Sequence, residues 1–300
     1  MYEVLSKIIP SDRVFTNEIM AKHTSFKIGG PADVYVQPSS CDEVKQIIHV
    51  CRKNDIEYVI LGQASNVLVP DEGLSGAVVQ FHPHFSKCQV IGNESLVAES
   101  GASLAALANL ALQNELTGLE FASGIPGSVG GAICMNAGAY GHEIADVCSK
   151  VNILMPDGEI ITVLGKDMGF GYRTSILQHN KGIVLSAEFT LSRGDRSGIG
   201  SYMKELNSRR RKSQPLEYPS VGSTFKRPPG HFAGKLISDC GLKGFAIGGA
   251  MVSEKHAGFI INTGGATARD VQELMKHIRS TVLKEYGVEL EPEVKILCNS

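Results

Sequence analysis

Several chemistries are excluded by what this 300-residue chain lacks. Its seven cysteines (41, 51, 88, 134, 148, 240 and 298) form no C-x-x-C pair, which rules out zinc ribbons, iron–sulfur ligation and redox dithiols. Charge is almost balanced, with a formal net of −2, so the chain carries no polyanion-binding signature and no nucleic-acid partner is expected. No apolar run approaches 18 residues, and the first ten residues lack the apolar stretch of a secretory signal. No membrane association is expected, and the reading is cytoplasmic. Internal repeats and low-complexity segments are absent too.

The missing motifs narrow the field further. No G-x-G-x-x-G links a strand to a helix, so a Rossmann turn does not hold a nucleotide here. Neither G-x-x-x-x-G-K-[ST] nor G-x-S-x-G occurs, which removes P-loop and nucleophile-elbow chemistry. His142-Glu-Ile-Ala-Asp146 breaks the H-E-x-x-H pattern at its second ligand, and no metal site is expected.

What is present in excess is glycine. Six of the 33 glycines fall within the 19 residues Ser123–Gly141. Glycine weakens helices and strands alike, so that density suggests a loop with φ > 0 and bare amides close to a bulky anion. The turn Leu61-Gly-Gln-Ala-Ser-Asn-Val-Leu68 follows a buried strand directly. It can cradle phosphate with Ser65 and Asn66 as added donors, or be an ordinary strand-to-turn connection. Together the two segments suggest a clamp on a dinucleotide.

The remaining pattern is mixed α and β. Strands are expected at 32–38, 58–61, 76–81, 88–91, 95–98, 151–154, 159–163, 182–191, 245–252, 257–262 and 288–297. Helices are expected at 42–53 with Ser40 or Asp42 as N-cap, at 104–114 behind Ser103, at 199–212, and from Thr267 to a stop at Gly287. Pro156-Asp-Gly158 reads as the turn between two strands. Three parts are expected: 1–72, 73–195 and 200–300, with a polar boundary at 192–200. The C-terminal strand, which Pro292 restricts to a sheet edge or a bulge, is expected on either the first or the last part. The basic run Arg209–Lys212 is either a solvated helix end or a diphosphate contact.

Six motifs then carry a resemblance. Thr24-Ser-Phe-Lys-Ile-Gly-Gly-Pro-Ala-Asp33, the 61–68 turn, the 123–141 stretch, Gly171-Tyr-Arg-Thr-Ser175, Gly222-Ser-Thr-Phe-Lys-Arg-Pro228 and Glu291-Pro-Glu-Val294 follow in order. Together they resemble the UDP-N-acetylenolpyruvoylglucosamine reductase (MurB) family, in its shorter, type II branch. The chain departs from that pattern at Ala64, where glycine is usual, and at His23, where asparagine is.

The resemblance implies an α+β fold: a two-subdomain FAD-binding module of the vanillyl-alcohol oxidase type followed by a smaller α+β substrate-binding domain. It implies non-covalent FAD, with NADPH as hydride donor and UDP-N-acetylglucosamine enolpyruvate as substrate, acting in a monomer. Gly62, Gln63, Ala64, Ser65, Asn66, Gly124, Ile125, Pro126, Gly127, Ser128, Gly130, Gly131, Asn136, Gly138 and Ile183 would contact the cofactor. Tyr172, Lys226 and Arg227 would contact the substrate. Arg173 would face the developing enolate as a bidentate donor, Ser223 would protonate C2, and Glu293 would act protonated or paired with Arg173. Two other readings stay open: an FAD oxidase of a sugar or phenol, and a flavin-binding protein without activity.

Overall fold

A computed structural model describes residues 1–299 and resolves the chain into two compact units. The first comprises residues 1–16, 34–63 and 76–210, and the second 17–33, 64–75 and 211–300. The chain therefore alternates between units rather than completing one before starting the next.

The first unit has two apolar cores. One is built around Val34, Val36, Val44, Ile47, Val79 and Phe81, and takes Leu154, Ile183 and Leu185 from later in the chain. It rests on the helix Cys41–Lys53, whose Ser40 side chain accepts the Glu43 amide as the sequence suggested. Strand Tyr58–Leu61 pairs in parallel with residues 77–80. Arg13 grips Glu43 with two hydrogen bonds of 2.8 Å, and the Ser39 amide adds a third at 2.6 Å. The Arg13 guanidinium holds the Glu43 carboxyl below its ordinary value. Its folded pKa is thus depressed, so the stability it adds is complete above the unfolded value and lost as pH falls through the folded one. Glu43→Gln is expected to lower stability at neutral pH and to change it least near pH 3, flattening the acid side of the stability–pH curve, as urea midpoints between pH 3 and 7 would show.

The second core lies on a five-stranded sheet ordered 160–164, 148–154, 183–190, 95–99, 88–91, whose interstrand pairings are all antiparallel. Gly158, at φ +93°, closes the expected turn between the first two of these strands. Helix Leu104–Gln113, capped by Ser103, packs on this core. So does helix Arg196–Ser213, through Ile199, Met203 and Leu206, which keeps the chain in the first unit past the polar stretch at 192–200.

In the second unit, helix Ala268–Tyr286 carries the capping box Thr267–Asp270 and ends at Gly287 with φ +67°. Its buried stripe packs with Phe26, Ile28, Leu68, Val221, Phe225, Ile260, Leu290 and Val294. Two strand expectations are corrected. Residues 245–252 are not one strand: Gly248–Gly249 break them into the hairpin 246–247/250–252, since the Gly248 Cα approaches the Asp270 carboxylate too closely for any side chain. The 288–297 stretch pairs only at Lys295–Ile296, in parallel with Val67–Leu68, and bridges at Pro292 to Phe225. Proline removes the donor that a continuous ladder would need. Among the described residues no helix is long and apolar enough to cross a membrane.

Candidate active site

The 123–141 stretch departs from the expected open loop. Residues Val129–Met135 form a short helix capped by Ser128, and of the six glycines only Gly141 has positive φ. Close packing explains most of the others. A Cβ on Gly130 would lie 1.9 Å from Ser100 Oγ, one on Gly124 2.2 Å from Asn207 Oδ1, and one on Gly138 2.7 Å from the His142 carbonyl. The amides of Val129 and Gly130 already donate to the carbonyls of Ala102 and Ser100, at 2.8 Å each. The amide of Leu104 likewise takes the Gly127 carbonyl. Glycine here brings backbone against backbone, and the left-handed positions fall instead to Asn136 (φ +43°) and Tyr140 (φ +57°).

The 62–66 turn is the better anion cradle. Among the described residues the amides of Gln63, Ser65 and Asn66 donate to no protein acceptor, a donor set that suits a diphosphate. Its orientation comes from a buried relay invisible to motif reading. The Tyr35 hydroxyl donates to Gln80 Oε1 at 2.6 Å, and Gln80 Nε2 donates to the Gly62 carbonyl at 2.8 Å. Because the peptide is trans, fixing that carbonyl turns the Gln63 N–H the opposite way. The only sequence signal for Gln80 is a polar residue in an otherwise apolar strand. Ala64 sits at φ +47°, which is why glycine suits this position; the chain accepts a left-handed alanine there.

Gly62 itself is held by contact. A Cβ there would lie 1.8 Å from Ser128 Oγ and 2.8 Å from Ser128 Cβ. Gly62→Ala is expected to lower stability by about 1–3 kcal/mol, the usual penalty of overpacking, and to weaken FAD binding. Ser128→Gly, which costs an N-cap only a few tenths, should restore part of both, as denaturant titration and flavin fluorescence would show.

In the first unit, Arg173 occupies a tight turn. Gly171 and Thr174 exchange backbone hydrogen bonds, and Arg173 is left-handed at φ +58°. Its Nη2 donates to the Gly138 carbonyl at 3.3 Å, and its Cζ stands 5.1 Å from the ring centroid of exposed Tyr172. Ile183 is buried in the core rather than presented at a surface. In the basic run, Arg209 pairs with Glu205 on the solvated face. Arg210 instead turns inward, where burial lowers its pKa and its Cδ lies beside Gly124.

In the second unit, Ser223 is exposed and follows Gly222, whose φ is +79°. Thr224 is 2% exposed: its hydroxyl accepts the Ile260 amide, and its carbonyl accepts the Glu293 amide at 2.8 Å. Lys226 N donates to Glu291 O, so residues 224–226 and 291–293 lie antiparallel, fixing the backbones of Ser223 and Glu293 near one another. Asn66 Nδ2 adds a bond to the Glu293 carbonyl at 3.2 Å. Lys226 pairs with Glu291, and Arg227 lies over the Phe232 ring at 3.9 Å. Burial pushes the thiols of Cys51 and Cys88 up to about 11 and Cys148 up to about 12, which makes these cysteines poor nucleophiles at neutral pH.

The turn, its relay and the closely packed glycines suit a dinucleotide held outside any Rossmann fold, and residues 32–164 match the FAD binding domain. The fold is that of an FAD-binding domain and a smaller α+β unit, as in the UDP-N-acetylenolpyruvoylglucosamine reductases. Residues 214–297 match the C-terminal domain of UDP-N-acetylenolpyruvoylglucosamine reductase. An enzyme of that name from Caldanaerobacter subterraneus subsp. tengcongensis is 51% identical over 297 residues, 99% of this chain and 98% of the relative. One from Syntrophomonas wolfei is 46% identical, with 99% of each chain covered. The crystal structure of the Thermus caldophilus reductase aligns with a TM-score of 0.80 at 35% identity, over 94% of this chain and 98% of that one. The chain belongs to the UDP-N-acetylenolpyruvoylglucosamine reductase family.

Proposed function

We propose that Arg173, Ser223 and Glu293 carry the substrate half of this reductase's reaction. The enzyme uses NADPH to reduce the enolpyruvyl ether of UDP-N-acetylglucosamine to UDP-N-acetylmuramate, a step of peptidoglycan synthesis. FAD, which the 62–66 turn would hold by its backbone amides, would supply the hydride chemistry that links NADPH to C3 of the enolpyruvyl group. Negative charge then collects at C2, next to the substrate carboxylate. The Arg173 guanidinium, a rigid fork of donors, meets that charge at a carboxylate edge. Ser223 gives its hydroxyl proton to C2, a carbanion basic enough for an unactivated alcohol to quench, and its exposed position lets solvent restore the proton. Glu293 serves on the substrate side, protonated or matched by a cation, because two carboxylates in contact do not both ionise cheaply.

The observation that carries this reading is the backbone of Arg173. A non-glycine residue held left-handed stores on the order of 1–3 kcal/mol of strain, and here that strain aims a single guanidinium. For the cofactor, the 62–66 turn supplies the diphosphate donors, while residues 124–131 and Gly138 line its site. The two cores of the first unit are the two halves of the FAD module, and residues 211–299 furnish most of the substrate domain. Tyr172, Lys226 and Arg227 contact the nucleotide sugar. The enzyme works as a monomer in the cytoplasm.

The visible spectrum tests the whole scheme. Purified protein should be yellow, bleach with NADPH under nitrogen, and regain its colour when the enolpyruvyl substrate is added. Recolouring with oxygen but not with that substrate would mean an oxidase. Failure to bleach at all would mean a binding protein.

A further inference from the structure

The segment leaving helix Val129–Met135 touches the Arg173 turn at every second residue. The Cys134 carbonyl accepts the Ser175 hydroxyl at 2.9 Å, Asn136 Nδ2 donates to the Gly171 carbonyl at 3.1 Å, and the Gly138 carbonyl accepts Arg173 Nη2 at 3.3 Å. Gln178 Nε2 closes the far side on the Arg173 carbonyl at 3.0 Å. Asn136 is the centre of this ladder. It is 0% exposed, ends the helix at φ +43°, and its Oδ1 accepts the Ala145 amide at 3.0 Å. Both ends of its side chain are therefore engaged within the protein, which leaves it little to offer a cofactor directly.

We propose that Asn136 is a positioning residue for Arg173, tying the catalytic turn to the glycine-rich cofactor segment so that the two keep one geometry. The inference rests on the role given above to Arg173. The residue type follows from two demands at once. The backbone must be left-handed, which asparagine tolerates better than most side chains, and the side chain must donate to one buried carbonyl while accepting from another amide. A turn that already holds a strained residue has no reserve rigidity, so losing its central tie lets the guanidinium drift. A displacement of about 1 Å can cost on the order of 10²-fold in rate.

The test is a double-mutant cycle on the holoenzyme. Asn136→Gly keeps the left-handed backbone without penalty and removes both side-chain bonds. It should slow reoxidation of reduced enzyme by the enolpyruvyl substrate roughly 10- to 100-fold and leave NADPH-driven bleaching nearly unchanged. In an Arg173→Ala background the same substitution should slow reoxidation no further, and amide exchange over 171–175 should rise while that of helix 104–113 does not. Asn136→Asp, which keeps the acceptor for Ala145 and removes the donor to Gly171, serves if the glycine variant fails to fold. Full additivity of the two substitutions, or equal losses in both half-reactions, would overturn the proposal. If Arg173→Ala alone reoxidises normally, the role given to Arg173 falls, and the exchange over 171–175 still decides whether Asn136 holds the turn.

Discussion

Ser223→Ala is expected to reduce its flavin with NADPH at the wild-type rate and to reoxidise with the enolpyruvyl substrate roughly 10²–10⁴ times more slowly, the usual worth of a positioned general acid. The first half-reaction needs no proton from the protein at C2, so the hydroxyl is idle there. The second ends with a carbanion that must be quenched. Folding should hardly notice the change: Ser223 is exposed, and the register of its segment is set by its neighbours, through Thr224 bonded to Ile260 and Glu293. Stopped-flow absorbance of the flavin separates the halves. A parallel fall in both rates would remove Ser223 from the chemistry.

Arg173→Lys should be nearly as damaging as outright removal, with substrate-driven reoxidation down by about 10²–10³, the range for losing a preorganised donor to a developing oxyanion. Lysine keeps the charge but loses the fork that spans a carboxylate edge. It also keeps the left-handed backbone at φ +58°, so the strain persists and stability should change little. Arg173→Gly would relieve that strain and abolish the same half-reaction, which separates conformational from chemical effects. Turnover near wild type in the lysine variant would mean that charge alone suffices at this position.

Much of the fold was legible because local chemistry marks it. Ser40, Ser103 and the Thr267–Asp270 box each cap the helix they were expected to start, and Gly287 ends the last one. The glycine-rich helix at 129–135 was not legible. Its propensity is poor, and it forms because the carbonyls of Ser100 and Ala102, distant in sequence, take its first amides. The hairpin at 246–252 was hidden for a similar reason, since the approach of Asp270 to Gly248 is tertiary. The proposed roles of Arg173, Ser223 and Glu293 came from the resemblance of six ordered motifs. Spacing alone could not have shown that Asn66 donates to the Glu293 carbonyl or Asn136 to that of Gly171.

The alternation of the chain between its two units sets an order on biosynthesis. Phe26, Ile28 and Leu68 emerge from the ribosome long before Val221, Ile260, Leu290 and Val294, with which they share a core. Until residues 290–294 are made, those early side chains have no completed interior to enter, and long-range closure of this kind slows folding and exposes apolar surface. A chain stopped after Arg210 would strand residues 17–33 and 64–75 without their partners. The 62–66 turn runs into one of these stranded segments, so its backbone gains its full bracing, Asn66 on Glu293 included, only after residue 293 has been made.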